Sequence, residues 1–121
     1  MRKVLVVDDD ELVRDFLKLH FKNRGYEVAT ATDGKVAISL AEREKPDLII
    51  LDMNMLGMTG WDTAKELKRE GAETATIPII ALTAHKTADD HVAAHEAGCD
   101  AFVEKQVEPE RLFDTVDRAL S

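Results

Sequence analysis

Asp52 stands at the end of the apolar run Leu48-Ile49-Ile50-Leu51, which has the length and bulk of a parallel strand buried on both faces. A carboxylate there is a liability for a strand and an asset for a site. The pattern repeats along the chain. Val4-Leu5-Val6-Val7 runs into Asp8-Asp9-Asp10, the stretch from Ile77 to Leu82 ends in Thr83, and Ala101-Phe102-Val103 leads to Glu104-Lys105. Two or three carboxylates within about 5 Å repel by several kcal/mol at intermediate dielectric, so together they require a cation or a proton. Hard oxygen ligands with no thiolate select Mg2+ over Zn2+ or Cu2+. Mg2+ keeps its waters and seeks phosphate oxygens. Lys105 and Thr83 suit the same group, one as a point charge and the other as a hydrogen-bond donor. A carboxylate placed between metal and lysine can attack phosphorus and form an acyl phosphate.

Each residue also has a plainer role. Acids at strand ends commonly cap the next helix, and Asp10 is assigned that role. Asp8 and Asp9 by themselves suit a helix start as well as they suit a metal. Asp52 fits the plain role less well, being followed by Met53 and a glycine-containing loop. Thr83 alone is an ordinary strand residue and Lys105 alone a surface charge. The weight lies in their combination at the ends of separate strands.

Five strand-like segments, 3–7, 27–31, 48–52, 77–83 and 101–104, alternate with five of helical spacing. In the first helix Leu12, Phe16 and His20 run beside Val13, Leu17 and Phe21, and Gly25 supplies a left-handed stop. Asp33 can cap a second helix through Ala37, Leu40 and Ala41 that ends before Pro46. Gly60 opens a third with Trp61, Ala64 and Leu67 inward. Thr87 can cap an Ala-rich fourth ended by Gly98. Pro109 fits the first turn of a fifth, with Leu112, Phe113, Val116 and Leu120 as its buried stripe. Strict alternation implies an α/β fold: a doubly wound parallel sheet with right-handed crossovers and helices on both faces. The pattern leaves the strand order open. In such a sheet the carboxyl ends of the strands form the ligand crevice, which is where the acids, Thr83 and Lys105 are delivered.

The 121 residues are read as one domain, 1–121, long enough to bury roughly two thirds of the unfolded surface. No apolar run has membrane-spanning length and no charged-then-apolar leader is present, so a cytoplasmic protein without a membrane partner is expected. A formal net charge of −8 with no local Lys/Arg cluster argues against nucleic-acid binding. The single Cys99 excludes an internal disulfide and a thiolate metal cage, and it is read as packing.

Lys3-Val4-Leu5-Val6-Val7-Asp8-Asp9-Asp10, Leu51-Asp52-Met53-Asn54-Met55 with Gly57 and Gly60, Leu82-Thr83-Ala84 and Lys105 closely resemble the receiver domain of two-component response regulators. The resemblance covers the whole chain and keeps the motifs in order and spacing. It implies a flavodoxin-like (βα)5 sheet of order 2-1-3-4-5. It further implies that Asp52 accepts a phosphoryl group from a histidine kinase or histidine phosphotransfer protein. Asp8 and Asp9 match the acidic pair that holds Mg2+, Asp9 more directly and Asp8 partly through water. Asn54 matches the position whose backbone carbonyl completes the metal shell. Lys105 matches the lysine that pairs with Asp52 and then with the phosphoryl oxygens. Thr83 matches the hydroxyl that moves to the phosphoryl group, and Phe102 the aromatic switch residue that follows it. With no appended domain expected, output falls to relay or to phosphorylation-dependent docking on a downstream protein target, not to catalysis on a substrate. Two rival readings are a phosphate-silent receiver used as an interaction module and a small aspartate-nucleophile phosphohydrolase, for which the chain has no room for a substrate-selecting cap.

The chain departs from the family pattern in two places. Gln106 stands where a proline usually follows the lysine, which puts a cis Lys105–Gln106 peptide out of reach and the position of Lys105 in question. Leu56 replaces a proline often found four residues after the phosphoacceptor. Elsewhere, His91 and His95 stand four apart on a helix but lack a third ligand, so they are read as a solvated face. His85, two residues past Thr83, is read either as a neighbour of the phosphoryl site or as a plain surface histidine.

Overall fold

The computed structural model describes residues 2–55, 57–84, 88–105 and 108–121; for residues 88–91 only the backbone is described. The expected Thr87 cap, His85, Leu56 and Gln106, and the side chain of His91, therefore lie outside the described residues.

Strands β1 (Lys3–Val7), β2 (Glu27–Ala31), β3 (Leu48–Asp52), β4 (Ile79–Thr83) and β5 (Ala101–Glu104) alternate with helices α1 (Glu11–Asn23), α2 (Gly34–Glu44), α3 (Gly60–Leu67), α4 (Ala88–Glu96) and α5 (Pro109–Leu120). All neighbouring strand pairs are parallel, in the order β2-β1-β3-β4-β5. The order reverses direction at β1 and β3, which opens a crevice between their carboxyl ends.

Continuous apolar runs form the central strands because both faces are covered. Leu5, Val7, Ile49, Leu51, Ile79 and Ala81 pack against α2, α3 and α4, while Val4, Val6, Leu48, Ile50, Ile80 and Leu82 pack against α1 and α5. Period-2 alternation thus sorts each strand between two cores. Phe21 joins Phe113 on the second face, ring centroids 4.8 Å apart.

The helix boundaries follow their caps. Asp10 accepts from Leu12 N–H at 2.9 Å, and Asp33 accepts from Val36 N–H at 2.9 Å. Gly25, at φ +87°, turns the chain out of α1 as its sequence position predicts. Thr59, which the sequence reading passes over, caps α3 through Asp62 N–H.

Three expectations change. The fourth strand begins at Ile79 instead of residue 77, because a 3-10 turn over Glu73–Thr76 and the imide of Pro78 occupy the preceding residues. Leu120, the last residue of α5, is only partly buried. In α1 only one of the two apolar stripes turns inward. Leu17 and Phe21 are buried and Val13 is half-buried, whereas Leu12 is 79% and Phe16 46% exposed. A helix resting on a flat sheet buries one face, and the stripe one residue back is rotated by about 100° out of it.

Candidate functional site

Four strands end at the site. Asp8 follows β1 directly, its N–H donating to Ala31 O at 3.1 Å and so extending the β1–β2 ladder by one residue. Asp52 and Thr83 are the last residues of β3 and β4. Lys105 follows β5, and its N–H donates to Thr83 O at 2.8 Å. The candidate side chains are thereby set at or directly after the ends of hydrogen-bonded strands.

Asp8 and Asp52 are fully buried, while Asp9 is exposed at the crevice mouth. Carboxylate oxygens of all three lie within 4.8 Å of one another. Backbone donors hold one oxygen of each buried acid: Asp10 N–H reaches Asp8 Oδ1 and Asn54 N–H reaches Asp52 Oδ1, both at 2.9 Å. The second oxygens, Asp8 Oδ2 and Asp52 Oδ2, are buried and receive no backbone donor from the described residues. Lys105 Nζ stands 3.0 Å from Asp52 Oδ2 and 3.2 Å from Asp8 Oδ2. One ammonium against three clustered carboxylates leaves a formal −2.

Burial raises the Asp8 pKa from its ordinary 3.8 to about 6; the Asp10 N–H opposes this, the Asp52 charge reinforces it and Lys105 again opposes it. For Lys105, burial pulls the pKa down, but the contact with Asp52 and the charges of Asp8 and Asp52 outweigh it, and the pKa rises. Two buried carboxylates that share one ammonium beside a third acid fit a hard divalent cation. Among the described residues this is the one group of three such ligands; His95 belongs to none. Cys99 is buried beside Asp100, its thiol pushed up to about 12 chiefly by burial, as suits a packing residue.

Thr83 is buried at the crevice wall. Phe102 is half-buried on β5 beside Ala81, packed on the α2–α3–α4 face of the sheet. Lys105 reaches both buried acids.

Three contributors escape the sequence reading. Arg14 Nη1 donates to Asp8 O at 2.9 Å, pinning the loop that carries the acidic pair; its only signal was a cation four residues past the Asp10 cap. Gly60 does more than open α3, because a Cβ there would run into Asp52 O and lie 2.5 Å from Met53 Cα. The side chain of Asn54 reaches across the crevice to β4, with Oδ1 3.4 Å from the Thr83 hydroxyl. Beside the site, Leu12, Phe16, Leu82, Leu112 and Lys105 line a largely apolar groove of about 320 Å³.

A family model described as the response regulator receiver domain matches residues 4–117. The alkaline phosphatase synthesis transcriptional regulatory protein PhoP of Bacillus subtilis is 37% identical over 111 residues, covering 92% of this chain and 45% of that protein. Transcriptional regulatory protein AfsQ1 of Streptomyces coelicolor is 35% identical over 120 residues, 99% of this chain and 51% of its own length. The chain spans about half the length of these curated relatives. Chemotaxis protein CheY4 of Vibrio cholerae superimposes with a TM-score of 0.93 at 33% identity, over 99% of both chains.

Proposed function

This chain belongs to the response regulator receiver domain family, and on that premise we propose that it accepts a phosphoryl group on Asp52 and signals through contacts that change with phosphorylation. The observation that carries the reading is Asp52 Oδ2: buried, 3.0 Å from the Lys105 ammonium, and inside a cluster of three acids.

In this reading Asp8, Asp9, Asp52 and the Asn54 backbone carbonyl hold Mg2+. The ion, when bound, neutralises the acids and the developing charge on phosphorus. Asp52 is the nucleophile. An oxygen–phosphorus bond forms as the phosphorus–nitrogen bond of a phosphohistidine breaks, and the electron pair leaves with the imidazole. Lys105, already placed by Asp52 and Asp8, shifts to the transferred phosphoryl oxygens. The Thr83 hydroxyl then turns toward the new acceptors and Phe102 follows on the same face of the sheet.

A protein donor, a histidine kinase or histidine phosphotransfer protein, is favoured over a small phosphate ester by the apolar groove beside Lys105. Leu12 and Phe16 are exposed there, a poor arrangement for a phosphohydrolase and a good one for a docking helix. Among the described residues no helix is long and apolar enough to cross a membrane, which accords with a cytoplasmic place in signalling.

Incubation with a small phosphodonor and Mg2+, followed by intact mass, tests the reading. One phosphoryl adduct is expected on the wild type and none on Asp52→Asn. Full labelling of Asp52→Asn would show that another group is the acceptor. No labelling of the wild type would favour the phosphate-silent reading, and steady turnover of a phosphate ester the hydrolase.

A further inference from the structure

Asn54 serves two parts of the site from opposite ends. Its backbone N–H holds Asp52 Oδ1 at 2.9 Å. Its side chain spans the crevice in the other direction, and Oδ1 takes both the Thr83 hydroxyl and the Ala84 N–H at 3.4 Å. One neutral oxygen therefore engages two donors from consecutive residues at the carboxyl end of β4. Both bonds are long and weak for their type. The residue itself is exposed, so this bridge is not demanded by packing.

A group added to Asp52 would bring three acceptor oxygens into a crevice whose wall presents those same two donors. To take them it must displace the Asn54 amide. We propose that the Asn54 side chain is a resting-state latch, a stand-in acceptor that holds the end of β4 until a phosphoryl group on Asp52 outcompetes it. Asn54 is then a positioning residue, acting through Thr83 and Ala84 and not on phosphorus.

The chemistry of an amide suits this task. An ionised acceptor bonds the same donors roughly twice as strongly as a neutral one, so the exchange runs toward the phosphoryl group. A carboxylate at position 54 would hold the donors harder and repel the incoming charge. An alanine would take this acceptor away from both donors. The latch sets how much of the phosphoryl group's interaction is spent on release, and therefore the threshold of the switch. The latch itself belongs to the unmodified protein; its link to switching rests on Asp52 being the phosphoacceptor.

Two readouts separate these parts. In unmodified, Mg2+-free protein, amide exchange followed by NMR should show the Ala84 N–H losing protection about 3- to 10-fold in Asn54→Ala, the range expected for one weak hydrogen bond. Asn54→Asp should keep it, since the acceptor oxygen remains. The Met53 N–H, bonded to Leu82 O at 2.9 Å, should not change in either variant. With Mg2+, beryllofluoride should bind Asn54→Ala about 3- to 10-fold more tightly than wild type, because no stand-in has to be displaced. In a Thr83→Ala background that gain should fall by at least half. Unchanged Ala84 protection in Asn54→Ala overturns the latch, as does a loss spread over β3 and β4. Equal or weaker beryllofluoride binding by Asn54→Ala overturns its role in switching. A wild-type protein that takes no beryllofluoride defeats the phosphoacceptor reading and the switching role together, and the exchange result still decides the latch.

Discussion

Replacing Asp8 by asparagine should make the metal-free protein more stable at neutral pH and less stable, relative to wild type, once Mg2+ is added. Asp8 is fully buried, and burial with the Asp52 charge moves its pKa from 3.8 to about 6. That displacement corresponds to about 3 kcal/mol of cost for holding the ionised form in the folded state. Between about pH 4 and pH 6 the native protein keeps a proton that the unfolded chain has released. Wild-type stability from this group therefore falls as pH rises through that window and stays low above it. The amide removes the charge but adds N–H donors facing the Lys105 ammonium, an offset of about 1–2 kcal/mol. A net gain of about 1–2 kcal/mol at pH 7 remains, roughly 4–8 °C in Tm for a chain of this length. Below about pH 4.5 the native Asp8 is already protonated and the advantage of the amide should vanish. Mg2+ at a hundred times its dissociation constant stabilises the wild type by about 2.7 kcal/mol and a weakened site by much less, so the order should reverse. Thermal melts followed by circular dichroism at pH 4.5 and 7, with chelator or with Mg2+, measure all four differences. A metal-free difference between wild type and Asp8→Asn that is equal at the two pH values would refute the assignment of strain to the buried Asp8 charge.

Removing the Lys105 ammonium should act in the opposite direction. Lys105→Met leaves two buried carboxylates uncompensated and is expected to destabilise the metal-free protein by about 3 kcal/mol, with a substantial part restored by Mg2+; denaturant titration with and without the ion checks it. Gly60→Ala forces a methyl into the Asp52–Met53 backbone and should cost about 2 kcal/mol or more while shifting the Asp52 and Met53 amide resonances; a variant of wild-type stability and spectrum would contradict the close approach. Apparent Mg2+ affinity, followed by Trp61 fluorescence at the start of α3, should weaken by about tenfold from pH 7 to pH 5 as the Asp8 proton competes with the ion, and Asp9→Ala should weaken it at both pH values.

The alternation of strands and helices, and the delivery of acids, hydroxyl and ammonium to strand ends, were legible from residue order alone. Both depend on short-range rules: a continuous apolar run makes a buried strand, and whatever polar residue ends it must emerge at that strand's end. Asp10 and Asp33 as caps, Gly25 as a stop and Pro109 at the start of α5 were legible for the same reason, since each acts within a turn of its own position. Strand order was not a local property. Each run of Val, Ile and Leu suits any neighbour, and the order β2-β1-β3-β4-β5 came from likeness to a family before the hydrogen-bond ladders displayed it.

Only the tertiary structure decided which apolar stripe of α1 is core. Leu12 and Phe16 match Leu17 and Phe21 in type and spacing, and rotation of the helix on the sheet is what leaves the first pair in water beside Lys105. The same holds for the contacts that tie the loops of the site to their surroundings. Arg14 on the Asp8 carbonyl, the missing side chain of Gly60 against Asp52, and the Asn54 amide on Thr83 and Ala84 each join segments whose approach no local periodicity encodes. Residue type states what a side chain can donate or accept; the packing of the sheet and its helices decides which partner comes within a bond's length.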